Sequence, residues 1–286
     1  MRTTLGRAIP LLILACGPAA AGEASGRAAL VNVPYKTGDT LDAYEKERCV
    51  LDVYLPADRR GFATLVWFHG GGLTGGSKDG PNTRKVAAGL AAEGLGVVVP
   101  NYRLSPKALY PAYIRDAAAA VAWAHAHIAE RGGDANRLFV GGHSAGGYLT
   151  LMVGLDARYL REAGVPETAI AGLIPVSGQT MTHNTVRAER GLGRFEVTAD
   201  EAAPVRWARK DTPPLLVIWA DKDMAARAEE NAYLVAILKG AGNAHVTGLC
   251  VAGRDHGSVA DRIADAGDPA RRAILEFVRA NGGGAH

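Results

Sequence analysis

The sequence predicts an α/β protein: a mostly parallel sheet of about eight strands with helices on both faces. Continuous apolar runs such as Thr64-Leu65-Val66-Trp67-Phe68 have the character of strands buried on both faces. They alternate along the chain with alanine-rich helical stretches, the pattern of parallel strands joined by crossover helices. Of 286 residues, 48% are hydrophobic, enough for the core of one large domain, and no Pro/Ser-rich linker or charge block divides the chain.

Leu30 to Tyr35 and Cys49 to Leu55 read as strands of an antiparallel edge, the second stopped by Pro56. Thr64 to Phe68 is the first buried strand; it ends at His69-Gly70-Gly71-Gly72, and a helix follows over Thr83 to Glu93. Gly96 to Pro100 is the next strand, and Pro111 starts a long helix running to Ile128. Arg137 to Val140 leads into Gly142-His143-Ser144-Ala145-Gly146 and a helical run from Tyr148. Strands at Ala171 to Val176, Pro214 to Trp219 and His245 to Val251 complete the sheet, with helices at Met224 to Lys239 and Pro269 to Ala280. Asp268 before Pro269 is an N-cap followed by proline at the first helical position.

The amino terminus differs from the rest. Arg2 and Arg7 have no acidic neighbour, Leu11-Leu12-Ile13-Leu14 is a short apolar run, and Ala19-Ala20-Ala21 offers an A-x-A site. That order is the signature of an export signal over residues 1–21, leaving a domain over 22–286 in the periplasm or outside the cell. A membrane anchor needs roughly 20 apolar residues, and Pro10 and Gly17-Pro18 interrupt this run. Ile13-Leu14-Ala15-Cys16 resembles a lipoprotein box, which makes lipid attachment at Cys16 the alternative. Without the signal, 30 basic side chains face 29 acidic ones, so no electrostatic footprint for nucleic acid remains. Cys49 and Cys250 fall near opposite ends of the expected sheet, which argues against a disulfide and for two buried thiols.

Four features fall immediately after strand ends: the His69 to Gly72 loop, Ser144, the segment Asp221-Lys222-Asp223, and Asp255-His256. In an open parallel sheet the ligand site lies at the carboxyl ends of the strands, so all four converge on one edge. A serine hydroxyl is a poor nucleophile at neutral pH and needs a base of suitable pKa within reach, the role assigned to His256 for Ser144. A carboxylate must hold the other imidazole nitrogen in the right tautomer. Asp223 is assigned, with Asp221, two positions away, as the alternative. Attack on a carbonyl creates an oxyanion, which the backbone N–H groups of Gly71, Gly72 and Ala145 are suited to hold.

From about Leu51 onward the chain resembles the hormone-sensitive-lipase-like branch of the α/β-hydrolases, especially small bacterial carboxylesterases similar to acetylxylan and feruloyl esterases. The residues that carry this are Leu51-Asp52-Val53-Tyr54-Leu55-Pro56, His69-Gly70-Gly71-Gly72, Asn101-Tyr102-Arg103-Leu104, Gly142 to Gly147, Pro213-Pro214 and Asp255-His256-Gly257-Ser258. The chain order Ser, Asp, His is that of the family's triad. Ala220 stands where the family usually has glycine, three residues before the acid. The resemblance implies hydrolysis of acyl esters through an acyl-serine, without metal or organic cofactor. Its alternatives are arylformamidase, amidase or peptidase chemistry on the same triad, and a noncatalytic binding protein of the same fold.

Residues 178–211 form the main insertion, a small cap in which Phe195 and Trp207 either line a pocket or anchor the segment. An open site under a small cap suits short acyl groups, such as acetyl, on a bulky or carbohydrate alcohol. His69 is read as a brace for the glycine loop, His143 as packing, and His125 and His127 as surface residues. Arg103 and Asp116 are expected to pair, Trp67 and Trp219 to pack in the core, and Lys78 and Asp79 to be solvated.

Overall fold

The computed structural model describes residues 28–57, 59–193 and 195–283. The expected export segment and Cys16 lie outside the described residues. The chain begins with β1 (Leu30–Pro34), α1 (Ala43–Arg48) and β2 (Val50–Tyr54), then β3 (Phe62–Phe68), α2 (Pro81–Ala92), β4 (Gly96–Pro100) and α3 (Ala112–His127). It continues through β5 (Gly133–His143), α4 (Ala145–Leu155), α5 (Ala157–Glu162), β6 (Ile170–Val176) and α6 (Asn184–Glu189). It ends with β7 (Leu215–Lys222), α7 (Arg227–Gly240), β8 (Val246–Asp255), α8 (Ser258–Asp261) and α9 (Pro269–Asn281).

These strands form one sheet in the order β1-β2-β4-β3-β5-β6-β7-β8. β2 runs antiparallel to β1 and to β4, and the strands from β4 to β8 are mutually parallel. Side chains alternate across it as the two-residue period of a strand requires. Val66 and Phe68 of β3 join Val140 and Val217 in a core shared with α3, α4 and α7. Leu65 and Trp67 join Phe139 and Ile218 in a second core shared with α2 and α9. With helices on both faces, every residue of β3 and β4 is buried, which is why they read as unbroken apolar runs.

Helix boundaries follow local chemistry. Asp268 accepts the N–H groups of Ala270 and Arg271 at 2.8 and 3.2 Å, capping α9 as expected. α7 starts at Arg227 rather than at Met224, because Ala226 takes a left-handed backbone (φ 65°) that no helix residue can have. Pro111 stands at the N-cap of α3, just outside the helix.

Three expectations need correction. Lys78 is not solvated: it is 2% exposed, and its ammonium lies 2.8 Å from Asp52 of β2. Cys250 is an exposed thiol, because β8 is an edge strand with one face turned to solvent. Cys49 is buried, and that burial pushes its thiol up to about 11. Trp219 is half-buried against the core rather than enclosed by it. Trp67 is enclosed, and Arg103 pairs with Asp116 at 2.8 Å.

Candidate active site

Ser144 sits where β5 turns sharply into α4, with the left-handed backbone φ 56°, ψ −115°. A non-glycine residue there is strained, and the surroundings enforce it. The Ser144 N–H donates to the Val176 carbonyl at 2.9 Å. A β-carbon on Gly146 would stand 2.1 Å from the Phe68 carbonyl oxygen, so only glycine lets α4 start this close to the end of β3. The turn leaves Ser144 partly accessible while all of α4 is buried.

His256, directly after β8, faces the turn. Its Nε2 accepts the Ser144 hydroxyl at 2.9 Å, and its Nδ1–H donates to Asp223 Oδ1 at 2.6 Å. A carboxylate only accepts, so this pairing fixes the tautomer that leaves Nε2 free for the serine proton. Asp223 follows β7, and its side chain is fully buried. That burial favours the neutral acid, but hydrogen bonds from His256 and Ser177 outweigh it and hold the carboxyl below its ordinary value. The absence of glycine at Ala220 leaves the acid in place: Ala220 is buried and its N–H points toward Asp223 Oδ2 at 3.4 Å. Asp221 does not reach the imidazole, and binds the backbone N–H groups of Gly253 and Arg254 instead.

The glycine loop runs beside Ser144: a β-carbon on Gly70 would lie 3.3 Å from Ser144 Cβ. Its peptide planes are fixed from behind. His69 Nδ1–H donates to the Gly70 carbonyl at 2.7 Å, and the N–H groups of Thr74 and Gly75 donate to the Gly71 carbonyl at 3.1 and 3.0 Å. Across a trans peptide the following N–H points opposite to the carbonyl, so the N–H groups of Gly71 and Gly72 are each oriented by a bonded carbonyl. Gly71 has φ 119°, and a β-carbon there would strike the Gly75 carbonyl at 2.3 Å. The Ala145 N–H opens α4 and belongs to the helix's unsatisfied, partially positive end. His69 therefore braces the loop as expected; it stacks on Tyr102 at 4.3 Å, and burial pushes it down to about 4.

Sequence reasoning passed over three contacts. His143 Nε2–H donates to the His256 carbonyl at 2.7 Å, tying the elbow to the loop that carries the imidazole. Ser177, just after β6, gives its hydroxyl to Asp223 Oδ2. Thr185 of α6 gives its hydroxyl to the Gly72 carbonyl, joining the 178–211 insertion to the glycine loop. Only His143 lay inside a recognisable motif. In the insertion, Trp207 serves as an anchor: its Nε1–H donates to the Glu201 carbonyl at 3.1 Å and its ring lies under Arg158. Phe195 is exposed. Among the described residues no cluster of three or more His, Cys, Asp or Glu is placed to hold a metal ion, and no helix is long and apolar enough to cross a membrane.

A family model described as BD-FAE matches residues 51–238. Esterase LipC of Mycobacterium tuberculosis is 28% identical over 213 residues, covering 68% of this chain and 52% of its own length. Carboxylesterase NlhH of the same species is 34% identical over 150 residues, covering 52% of this chain and 43% of its own length. The chain thus spans about half the length of the curated relatives it matches. A solved structure described as a truncated form of carbohydrate esterase from gut microbiota has a TM-score of 0.72 over 88% of this chain and 95% of that one; at 19% identity this likeness speaks for the fold alone. The chain has the α/β-hydrolase fold and belongs to the BD-FAE family.

Proposed function

We propose that the chain hydrolyses carboxylic esters through an acyl-serine formed on Ser144. The observation that carries this is the unbroken relay from Asp223 through His256 to a hydroxyl held in a strained turn. In the first step Ser144 Oγ bonds to the acyl carbon while its proton passes to His256 Nε2, and Asp223 stabilises the resulting imidazolium. The carbonyl electron pair moves onto oxygen, where the N–H groups of Gly71, Gly72 and Ala145 receive it. Collapse breaks the bond to the alcohol, which takes the proton from His256. Water then repeats the sequence on the acyl-serine and releases the acid. The names of the relatives, esterase and carboxylesterase, support ester over amide chemistry.

Short acyl groups on a bulky or carbohydrate alcohol are the proposed substrates. Support comes from the small insertion, whose described residues form a six-residue α-helix and a four-residue 3-10 turn, and from the partial exposure of Ser144 and His256. In this reading residues 22–286 are one hydrolase domain, residues 178–211 are its cap, and residues 1–21 direct export. Turnover across p-nitrophenyl esters from acetate to laurate tests the acyl preference. A peak at acetate or butyrate is expected, and a peak at long chains overturns it.

A further inference from the structure

We propose that Ser177 is a positioning residue of this site: its hydroxyl holds the outer oxygen of Asp223 and thereby sets how strongly His256 draws the proton of Ser144. The proposal rests on Ser144, His256 and Asp223 working as the triad described.

Ser177 is fully buried and has φ 48°, a backbone that glycine adopts without strain and serine does not. Glycine, however, has no hydroxyl. Three bonds lock the residue in place. Its N–H donates to the Ile218 carbonyl of β7 at 2.7 Å, its carbonyl accepts Arg227 Nη1 of α7 at 2.7 Å, and its hydroxyl donates to Asp223 Oδ2. Among the described residues Oδ2 otherwise meets only the distant N–H of Ala220, whereas Oδ1 is shared by His256 Nδ1 and the Met224 N–H at 2.7 Å. A hydroxyl that donates to one carboxylate oxygen draws negative charge from the other, so the imidazolium gains less from Asp223 than it would from a bare carboxylate.

The other charged or titratable groups facing the pair act from elsewhere. The His143 ring of β5 lies 4.8 Å from His256 and burial pushes it down to about 4. Arg227 of α7 lies near Asp223 with Glu230 beside it, and Cys250 of β8 senses the same carboxylate. Asp255 is occupied in its own turn with Ser258. Among the described residues none of these groups bonds to Oδ2, so Ser177 has a distinct lever on the acid.

The test is an NMR titration of the His256 imidazole in wild type, Ser177→Ala and Ser177→Cys, with the resonance assigned by its loss in His256→Asn. The pH dependence of kcat/KM for p-nitrophenyl acetate is measured beside it. In Ser177→Ala the His256 midpoint should rise by about one pH unit, and the acid limb of kcat/KM should move up with it. Ser177→Cys, a weak donor, should fall between. An unchanged midpoint in folded Ser177→Ala overturns the proposal even if turnover falls, because that is what a merely space-filling serine would give. If melting curves show that Ser177→Ala does not fold, Ser177→Cys carries the same comparison. The titration needs no turnover, so a protein inactive on esters would defeat the hydrolase reading and leave the test of Ser177 intact.

Discussion

Asp221 accepts the backbone N–H of Arg254 at 3.0 Å and that of Gly253 at 2.9 Å, binding the end of β7 to the end of β8 two residues before His256. The two neighbouring acids thus have separate tasks, one fixing the loop and the other contacting the imidazole. Asp223→Asn should lower kcat by about 10⁴-fold, since an amide cannot hold the required tautomer. Asp221→Asn keeps an acceptor for the backbone and should stay within about tenfold of wild type. Ester turnover of the two variants decides the assignment, and equal losses would refute it.

Thr185 reaches from the insertion to the Gly72 carbonyl. Thr185→Val removes that bond with little change of shape. A lost positioning contact of about 1 kcal/mol should reduce kcat roughly fivefold with KM nearly unchanged. Steady-state kinetics on a short ester would show it, and a change confined to KM would place Thr185 in substrate binding instead.

The buried pair of Lys78 and Asp52 should be costly to break. Asp52 also accepts the Asn32 N–H at 2.8 Å, and both side chains are almost wholly out of water. Lys78→Met leaves a buried carboxylate without its cation and should destabilise the fold by about 3–5 kcal/mol. The double variant with Asp52→Leu should recover part of the loss. Urea denaturation of both proteins measures the difference.

Stability should fall with acid before the carboxylates titrate. His69 and His183 are each 2% exposed, and burial pushes them down to about 4 and about 3. The unfolded chain takes up protons near the ordinary imidazole value of about 6.5, while the folded chain does not. Their contribution is therefore complete above about pH 6.5 and is lost as pH falls toward the folded values, with a limiting slope of about 1.4 kcal/mol per pH unit for each. Denaturation curves from pH 7 to 4 should show this decline. His183→Asn, which retains an acceptor for the Thr185 N–H that His183 Nδ1 now caps, should flatten it.

Much of this architecture is legible in the sequence because the signals are local and periodic. Thr64 to Phe68 reads as a buried strand since helices cover both its faces, and Ser144 is marked by glycines that the turn requires. What escaped depends on distant partners. Lys78 reads as a loop cation because Asp52 lies 26 positions earlier on another strand. Leu249 to Ala252 around Cys250 is a short apolar run like those of the interior strands, and its place at the sheet edge exposes the thiol. Asp221 and Asp223 differ by one strand period, so their spacing does not separate them, while hydrogen-bond partners do. Ser177 is a lone serine after an apolar strand, with no pattern to announce it. The six-residue helices α1, α5 and α6 are too short for a helical period to stand out.

The most direct measurement is covalent labelling of Ser144 with a fluorophosphonate, read by peptide mass and paired with p-nitrophenyl acetate turnover, in wild type and Ser144→Ala. The account predicts stoichiometric label on the peptide containing Ser144 in wild type, none in the variant, and a fall in kcat of about 10⁶-fold. Turnover that survives in Ser144→Ala, or a wild-type protein that neither labels nor turns over, would contradict it.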